Sequence, residues 1–291
     1  MLLLISALTI SLILDYIWIK ESGRKGIVSV DIHKPHKPEY PKVGALPNSL
    51  ILSIALFSAG IKEVALISIF LSFIGLVDDF SGLNNLEKVF LAGIPFLILQ
   101  GHPVLFFPAL LFPAISFLFG SFSSNATNIL AGYNGLETGL TSIISVFMAF
   151  ISAIQGNEIA LLSYLIVLSC YLPFLLFNFY PARAFPGNAA TFQMGGVLAA
   201  IAFANEQELA LGIMMIPYLA DFLLKMISYK TTFRKIPAYV DNEGYINPPG
   251  NLSLAGVLLR MKRMREPQLV ASIWAIELLF CFIALFIFFL H

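Results

Sequence analysis

Four groups of polar residues stand out in a chain otherwise poor in them. Asp78 and Asp79 are adjacent carboxylates, with Lys88 shortly after. Two neighbouring carboxylates repel, and a cation or a proton between them relieves the repulsion. A divalent metal, a phosphate arriving with its metal, or an acid–base role would each account for the pair; a solvated helix end is the plainer alternative. The second group is Asn125, Asn128, Asn134 and Glu137. Asn125 and Asn128 are spaced i, i+3, which puts both amides on one helical face. Amide oxygens are hard donors suited to Mg²⁺. Helix capping and turn formation explain Asn134-Gly135 well, but they explain the spaced asparagine pair poorly. The third group is a Pro/Gly-rich connection holding Arg183, Phe185, Gly187 and Asn188. An arginine can clamp a phosphate, and an aromatic ring can stack on a base. The fourth is Arg234-Lys235, in a basic segment. Singly, most have an ordinary structural explanation. Together, an acid pair, amides, glycine turns and basic residues suit a diphosphate with its Mg²⁺, catalysis coming from positioning and electrostatics.

The rest of the sequence sets where these groups sit. Only 12% of the 291 residues are charged, 17 of each sign, and 58% are hydrophobic. A soluble domain would be about a quarter charged. The mean hydropathy is +0.87. These values exclude a soluble globular enzyme, a disordered chain and a nucleic-acid binder relying on a basic surface. The expected fold is an all-α polytopic membrane protein forming one domain over residues 1–291. A spanning helix needs ~20 apolar residues. The pattern predicts about ten: 1–20, 44–61, 63–77, 87–100, 103–121, 136–155, 159–178, 189–204, 208–229 and 268–290. The first lacks a basic n-region and a small-residue cleavage site, so it reads as a span and not a cleavable leader. Cys170 and Cys281 both lie in apolar runs, which implies no disulfide framework.

With ten spans, both termini share one side and the odd-numbered loops share the other. Those loops and their flanks hold 16 of the 17 lysines and arginines; only Lys62 lies opposite. The positive-inside rule then places the odd loops in the cytoplasm and both termini outside. All four polar groups fall at cytoplasmic ends of spans, where a polar residue near membrane depth is a functional candidate. The last cytoplasmic loop, 231–266, is the sizeable extramembrane element. Lys235–Asn247 reads as a β-hairpin turning at Asp241-Asn-Glu-Gly244. Asn251 then caps a helix to about Arg265. Its Leu252, Leu254, Leu258 and Leu259 face one way, which suits an interfacial helix against anionic headgroups; a solvated basic flank is the alternative.

In order and wording, these groups resemble the motifs of the polyprenyl-phosphate N-acetylhexosamine-1-phosphate transferases. The likeness runs from Asp31 to about Leu269. Asp78-Asp79 with Lys88 resembles the family's Asp-Asp motif and its following lysine. Asn128-Ile-Leu-Ala-Gly-Tyr-Asn134-Gly-Leu-Glu137 resembles the dolichyl-phosphate GlcNAc-1-phosphotransferase branch more than the bacterial phospho-MurNAc-pentapeptide branch, whose His-His-His motif is absent. Tyr180-Pro181-Ala182 through Gly187 resembles the segment that holds nucleotide and metal. Lys235-Ile-Pro and Asn251-Leu-Ser-Leu resemble the last cytoplasmic loop of the dolichol enzyme.

The resemblance implies ten helices and transfer of a sugar 1-phosphate, GlcNAc 1-phosphate by preference, from a UDP-sugar to a polyprenyl or dolichyl phosphate. UMP leaves. It implies Mg²⁺, with Mn²⁺ as an alternative, at Asn128 and Asn188. It gives catalytic roles to Asp78, Asp79 and Lys88. Asn125, Asn134, Glu137, Arg183, Phe185, Arg234 and Lys235 would hold the substrates, with Asn134 and Phe185 on the uracil and the basic pair on the pyrophosphate or sugar. The partners are the two substrates and membrane lipids, with a homodimer as an option and no nucleic acid. Two departures stand out: Asn188 occupies a position where the family has aspartate, and the basic pair is shifted to Arg234-Lys235. The compact length points to an archaeal enzyme of the cell membrane that begins N-glycan assembly. Other readings are the same chemistry on another UDP-sugar for envelope polymers, a scaffold of weak activity motivated by Asn188, or a transporter. A transporter would bury its polar residues near the bilayer midplane between repeats; here they lie at span ends and no half repeats.

Overall fold

The computed structural model of the chain describes residues 1–31, 34, 37–231 and 238–289. Helix α1 (Leu2–Arg24) leads into a short antiparallel pair, β1 (Val28–Val30) and β2 (Glu39–Pro41), with Val28 opposite Pro41 and Val30 opposite Glu39. There follow α2 (Leu46–Ser58), α3 (Lys62–Ser81), α4 (Asn85–Gly93), α5 (Phe112–Leu130), α6 (Leu136–Ile154), α7 (Glu158–Asn178) and α8 (Asn188–Ala204). Next come α9 (Glu208–Met214) and α10 (Ile216–Thr231), bent by 54° at the break between them. The chain closes with β3 (Tyr239–Val240), β4 (Ile246–Asn247), α11 (Leu254–Met261) and α12 (Glu266–Phe289).

α8 is the axis of the bundle. Every residue from Ala189 to Phe203 is buried, as befits a helix apolar or small on all sides. α3 and α5 press against it most extensively. Small residues permit that approach: a Cβ on Gly75 of α3 would lie 2.1 Å from the Asn188 carbonyl oxygen, and one on Gly195 of α8 would lie 2.1 Å from that of Ser123. α1 and α12 lie outermost and expose residues such as Ile5, Ile13, Phe282 and Phe286. A wall of this kind is compatible with lipid and not with water.

Among the described residues, six helical segments are long and apolar enough to cross a membrane: Leu2–Arg24, Lys62–Ser81, Ala109–Leu130, Leu136–Ile154, Glu158–Asn178 and Glu266–Phe289. The bent α9–α10 pair makes a seventh if it is one span. The chain is an integral membrane protein. α2 and α8 are shorter apolar helices. Besides the 208–229 helix, broken into α9 and α10, two expected helices differ in form. The helix expected over 87–100 ends as α4 at Gly93 and continues as a 3₁₀ segment, Ile94–Ile98, because Pro95 has no N–H for the α-ladder. The helix expected over 103–121 starts only at Phe112, where Pro113 sits in the first turn and costs no hydrogen bond. It then runs on to Leu130, so Asn125 and Asn128 are inside a helix.

The last loop has its expected hairpin, Tyr239 opposite Asn247 and Val240 opposite Ile246. Asp241 Oδ1 accepts from the Glu243 (3.0 Å) and Tyr245 (2.9 Å) amides across the turn. The helix after it departs from expectation. Ser253, not Asn251, caps it, its Oγ accepting from the Gly256 amide at 2.9 Å, and it stops at Met261. Leu259 is buried and Leu254 and Leu258 are partly buried against the core. Arg234 and Lys235 lie outside the described residues.

Candidate active site

The C-terminal end of α3, the end of α5, the start of α6 and the N-terminus of α8 meet at one end of the bundle. Between them and the β1–β2 arm opens a cleft of about 580 Å³, lined among others by Lys42, Asp79, Asn128, Glu137, Phe185 and Asn188. Local sequence explains the placement. Gly82, at φ 70°, ends α3 just past the acid pair. Gly135, at φ 83°, turns the chain from α5 into α6. Gly187, at φ 82°, starts α8 with an ideal Cβ position only 3.1 Å from Asp79 Oδ2, a place where a side chain would fill the cleft wall.

The two aspartates have different surroundings. Asp78 is fully engaged. Its Oδ2 accepts from Lys88 Nζ at 2.7 Å and Asn188 Nδ2 at 2.8 Å, and its Oδ1 accepts from the Leu83 amide at 2.8 Å. Asp79 faces the cleft, Oδ2 accepting from the Ala189 amide at 3.1 Å. Among the described residues, no basic group lies within ion-pair distance of its carboxylate. The Lys42 ammonium donates instead to the Asp79 backbone carbonyl. Asp79 thus presents a carboxyl group to the cleft at the N-terminus of α8.

Asn128 Oδ1 accepts from Thr191 Oγ1 at 2.8 Å, joining α5 to α8 on the cleft wall. Asn125 is one turn deeper and off the cleft lining. Its amide donates to the Ser121 carbonyl (2.9 Å) and the Lys88 carbonyl (3.3 Å), so it anchors the turn that presents Lys88. Glu137, in the first turn of α6, is buried in the cleft wall, and its Oε2 has no hydrogen-bond partner. Phe185 is half-buried in the cleft, the edge of its ring pair with Tyr40 at 5.8 Å and 88°. Asn134 is buried outside the lining; its backbone amide donates to Glu266 Oε1 at 2.7 Å and its side chain to Asp31 Oδ2 at 3.4 Å. Arg183 is exposed, off the cleft lining, with its guanidinium 5.9 Å from the Phe177 ring.

Sequence reasoning passed over Lys42, Asp31, Tyr133 and Thr191, all on the cleft wall. Lys42 and Asp31 come from the first loop, whose several basic residues read as a positive-inside flank. The signal available was extended, β-favouring sequence on both sides of that loop, which the β1–β2 pairing uses to fold it over the cleft. The donor set fits a hard cation. Asp79, Asn128, Asn188 and Glu137 offer oxygens, one of them the orphaned Glu137 Oε2. Among the described residues, no cluster of three or more His, Cys, Asp or Glu side chains forms a closed cage.

An apolar helical bundle carries an acid–amide cleft at one end. Residues 62–205, from the start of α3 to just past the end of α8, match glycosyl transferase family 4. The chain is 32% identical over 313 aligned positions, covering 94% of both sequences, to a Saccharolobus solfataricus protein provisionally named UDP-N-acetylglucosamine–dolichyl-phosphate N-acetylglucosaminephosphotransferase. It is 34% identical to a protein of Methanocaldococcus jannaschii provisionally named a glycosyltransferase, over 88% of this chain and 86% of that one. It is 28% identical to the phospho-N-acetylmuramoyl-pentapeptide-transferase of Dictyoglomus turgidum, over 77% of this chain and 81% of that one. The chain belongs to glycosyl transferase family 4. The matched segment contains Asp78, Asp79, Asn128, Glu137, Phe185 and Asn188.

Proposed function

We propose that the protein transfers GlcNAc 1-phosphate from UDP-GlcNAc to a dolichyl or related polyprenyl phosphate. The observation that carries this reading is the cleft itself. Acidic and amide oxygens (Asp79, Asn128, Asn188), an ammonium (Lys42) and an aromatic ring (Phe185) share its walls. An oxygen of the lipid phosphate attacks the sugar-bearing phosphorus of the donor, the bond from that phosphorus to UMP breaks, and UMP leaves. The product is a lipid-linked pyrophosphate sugar. The names of the archaeal and bacterial relatives support that chemistry. A UDP-sugar for envelope polymers is the second reading within the same reaction, favoured by the bacterial relative.

In this reading Asp79 sits beside the lipid phosphate and Lys42 balances phosphate charge. Phe185 offers a face to the uracil. Asp78 works through others: it fixes Lys88 and Asn188 in position. Asn128 with Asp79 or Asn188 would hold Mg²⁺, which would supply charge neutralisation on the pyrophosphate. The chain crosses the membrane ten times. α2, α8, the α4–3₁₀ segment and the α9–α10 pair join the six long segments. The basic loops and the cleft are cytoplasmic, and both termini are outside. The test is to incubate the purified protein with UDP-GlcNAc, a polyprenyl phosphate and Mg²⁺ and to measure UMP and the lipid product. UMP that requires both lipid and metal supports the reading; none with dolichyl or undecaprenyl phosphate across a panel of UDP-sugars overturns it.

A further inference from the structure

Beside the cleft, four polar residues from three distant stretches of chain close a ring through their side chains and the Asn134 backbone amide. Glu266, first residue of α12, accepts the Asn134 backbone amide on Oε1 at 2.7 Å and Lys34 Nζ on Oε2 at 2.9 Å. Lys34 Nζ also lies 3.2 Å from Asp31 Oδ2, and Asp31 Oδ2 accepts from the Asn134 side chain at 3.4 Å. The carboxyl groups are nearly buried, 2% exposed for Asp31 and 3% for Glu266; the lysine is 13% exposed. Two carboxylates thus share one ammonium. Burial pulls the Lys34 pKa down, but Glu266 and Asp31 outweigh it and hold it above the ordinary lysine value. Lys34 therefore keeps its charge throughout the neutral range.

The ring borders one part of the cleft. Asp31 lines it directly, and Tyr133 and Glu137, which flank Asn134, line it too. Lys34 Nζ also stands 4.3 Å over the ring of Tyr180, in the connection that carries Phe185. The elements tied together are those that present the cleft's aromatic rings, Tyr133 and Phe185. The phosphate-suited wall of Asp79, Asn128 and Asn188 is built separately, by α3, α5 and α8. Removing the ammonium would leave two nearly buried carboxylates facing each other across Asn134, which they would push apart.

We propose that the Lys34–Glu266 ion pair, with Asp31 and Asn134, is a clamp that positions the aromatic wall of the cleft, so that it sets affinity for the nucleotide of the sugar donor and not for the lipid phosphate. This inference rests on the transferase reading above for the identity of its donor. None of the four is a catalytic residue in this scheme; they act through Tyr133, Glu137 and Phe185.

The test is steady-state kinetics of the full-length protein in detergent, with donor and lipid phosphate varied in turn. Lys34→Met should raise KM for the UDP-sugar about tenfold while kcat and the lipid KM stay within about twofold. Lys34→Arg keeps the charge and should return the donor KM to within about threefold of wild type. A fall in kcat without a change in donor KM, an equal rise in both KM values, or Lys34→Arg no better than Lys34→Met would overturn the clamp. If Lys34→Met fails to fold, Glu266→Gln, which keeps an oxygen for the Asn134 amide, should give the same donor-selective rise. UMP binding by calorimetry without lipid separates the two readings. Wild-type protein that binds UMP but turns nothing over, with Lys34→Met binding it about tenfold more weakly, keeps the clamp and removes the transferase. Wild-type protein that does not bind UMP overturns both.

Discussion

Helix α8 carries two polar clusters five residues apart, about 7.5 Å along its axis, and they are built on opposite principles. At its N-terminus, Asn188 and Thr191 face the cleft, beside an Asp79 whose carboxylate makes no direct ion pair among the described residues and a Glu137 whose Oε2 is orphaned. Deeper in, Gln193 is saturated. Its two Nε2 hydrogens have the Ser49 carbonyl (2.9 Å), the Ser68 carbonyl (3.0 Å) and Ser68 Oγ (2.7 Å) within reach, and its Oε1 accepts from the Tyr171 hydroxyl. A saturated buried amide rigidifies a bundle and has nothing left for a ligand. Acceptors left short of donors are costly, and in a cleft they wait for a ligand to complete them. Being polar and buried does not separate the two clusters; spare valence does.

That contrast can be broken most directly at the cleft. Asp79→Ala or Asn128→Ala should lower turnover by ~10³-fold or more and leave the melting temperature nearly unchanged. Retained UMP release in either variant would remove the residue from the site. The mirror experiment is Gln193→Leu. It should destabilise the protein by about 2 kcal/mol, read in thermal melts, while the folded fraction keeps its kcat. A loss of turnover in fully folded Gln193→Leu would erase the distinction. Asn188→Asp sharpens it. The new carboxylate faces Asp78 Oδ2, now bonded to the amide at 2.8 Å, so it repels unless a cation intervenes. Half-maximal activity should need about fivefold less Mg²⁺, and chelation should lower the melting temperature more than in wild type. An unchanged metal titration would place residue 188 outside the metal's reach. Arg183→Ala is the mildest. With its side chain exposed and off the cleft lining, it should shift either KM by less than about twofold, the scale of a surface charge.

The parts of the site legible in the sequence were those whose chemistry and spacing are local. Asp78-Asp79, the i, i+3 asparagines and the Phe185-Pro-Gly-Asn188 turn announce themselves because a polar group in an apolar run needs a reason. Lys42, Asp31, Lys34 and Glu266 did not. Their partners lie as far as 232 residues away in the chain, as for Lys34 and Glu266, and a lysine in a basic loop reads as topology before it reads as chemistry. Spaced asparagines also cannot say which of them faces the ligand: Asn128 lines the cleft, while Asn125 serves the backbone of Lys88. In the fold, the strongly apolar helices were plain from hydropathy. The segments that deviate do so at prolines, where the missing N–H turns a run of apolar residues into a 3₁₀ tail or a late start.

The seam at Gly75 has one more consequence. With the Asn188 carbonyl where a methyl carbon would sit, the spacing between the acid pair and the head of α8 is fixed by a hydrogen atom and cannot be widened in small steps. A lineage of such proteins could not adapt to a bulkier sugar by loosening this seam, since even alanine there would dislodge Asp78, Asp79 and Asn188 together. Room for a new substrate would have to come from the rim, where the β1–β2 arm meets the cleft, leaving the phosphate chemistry constant while the sugar changes.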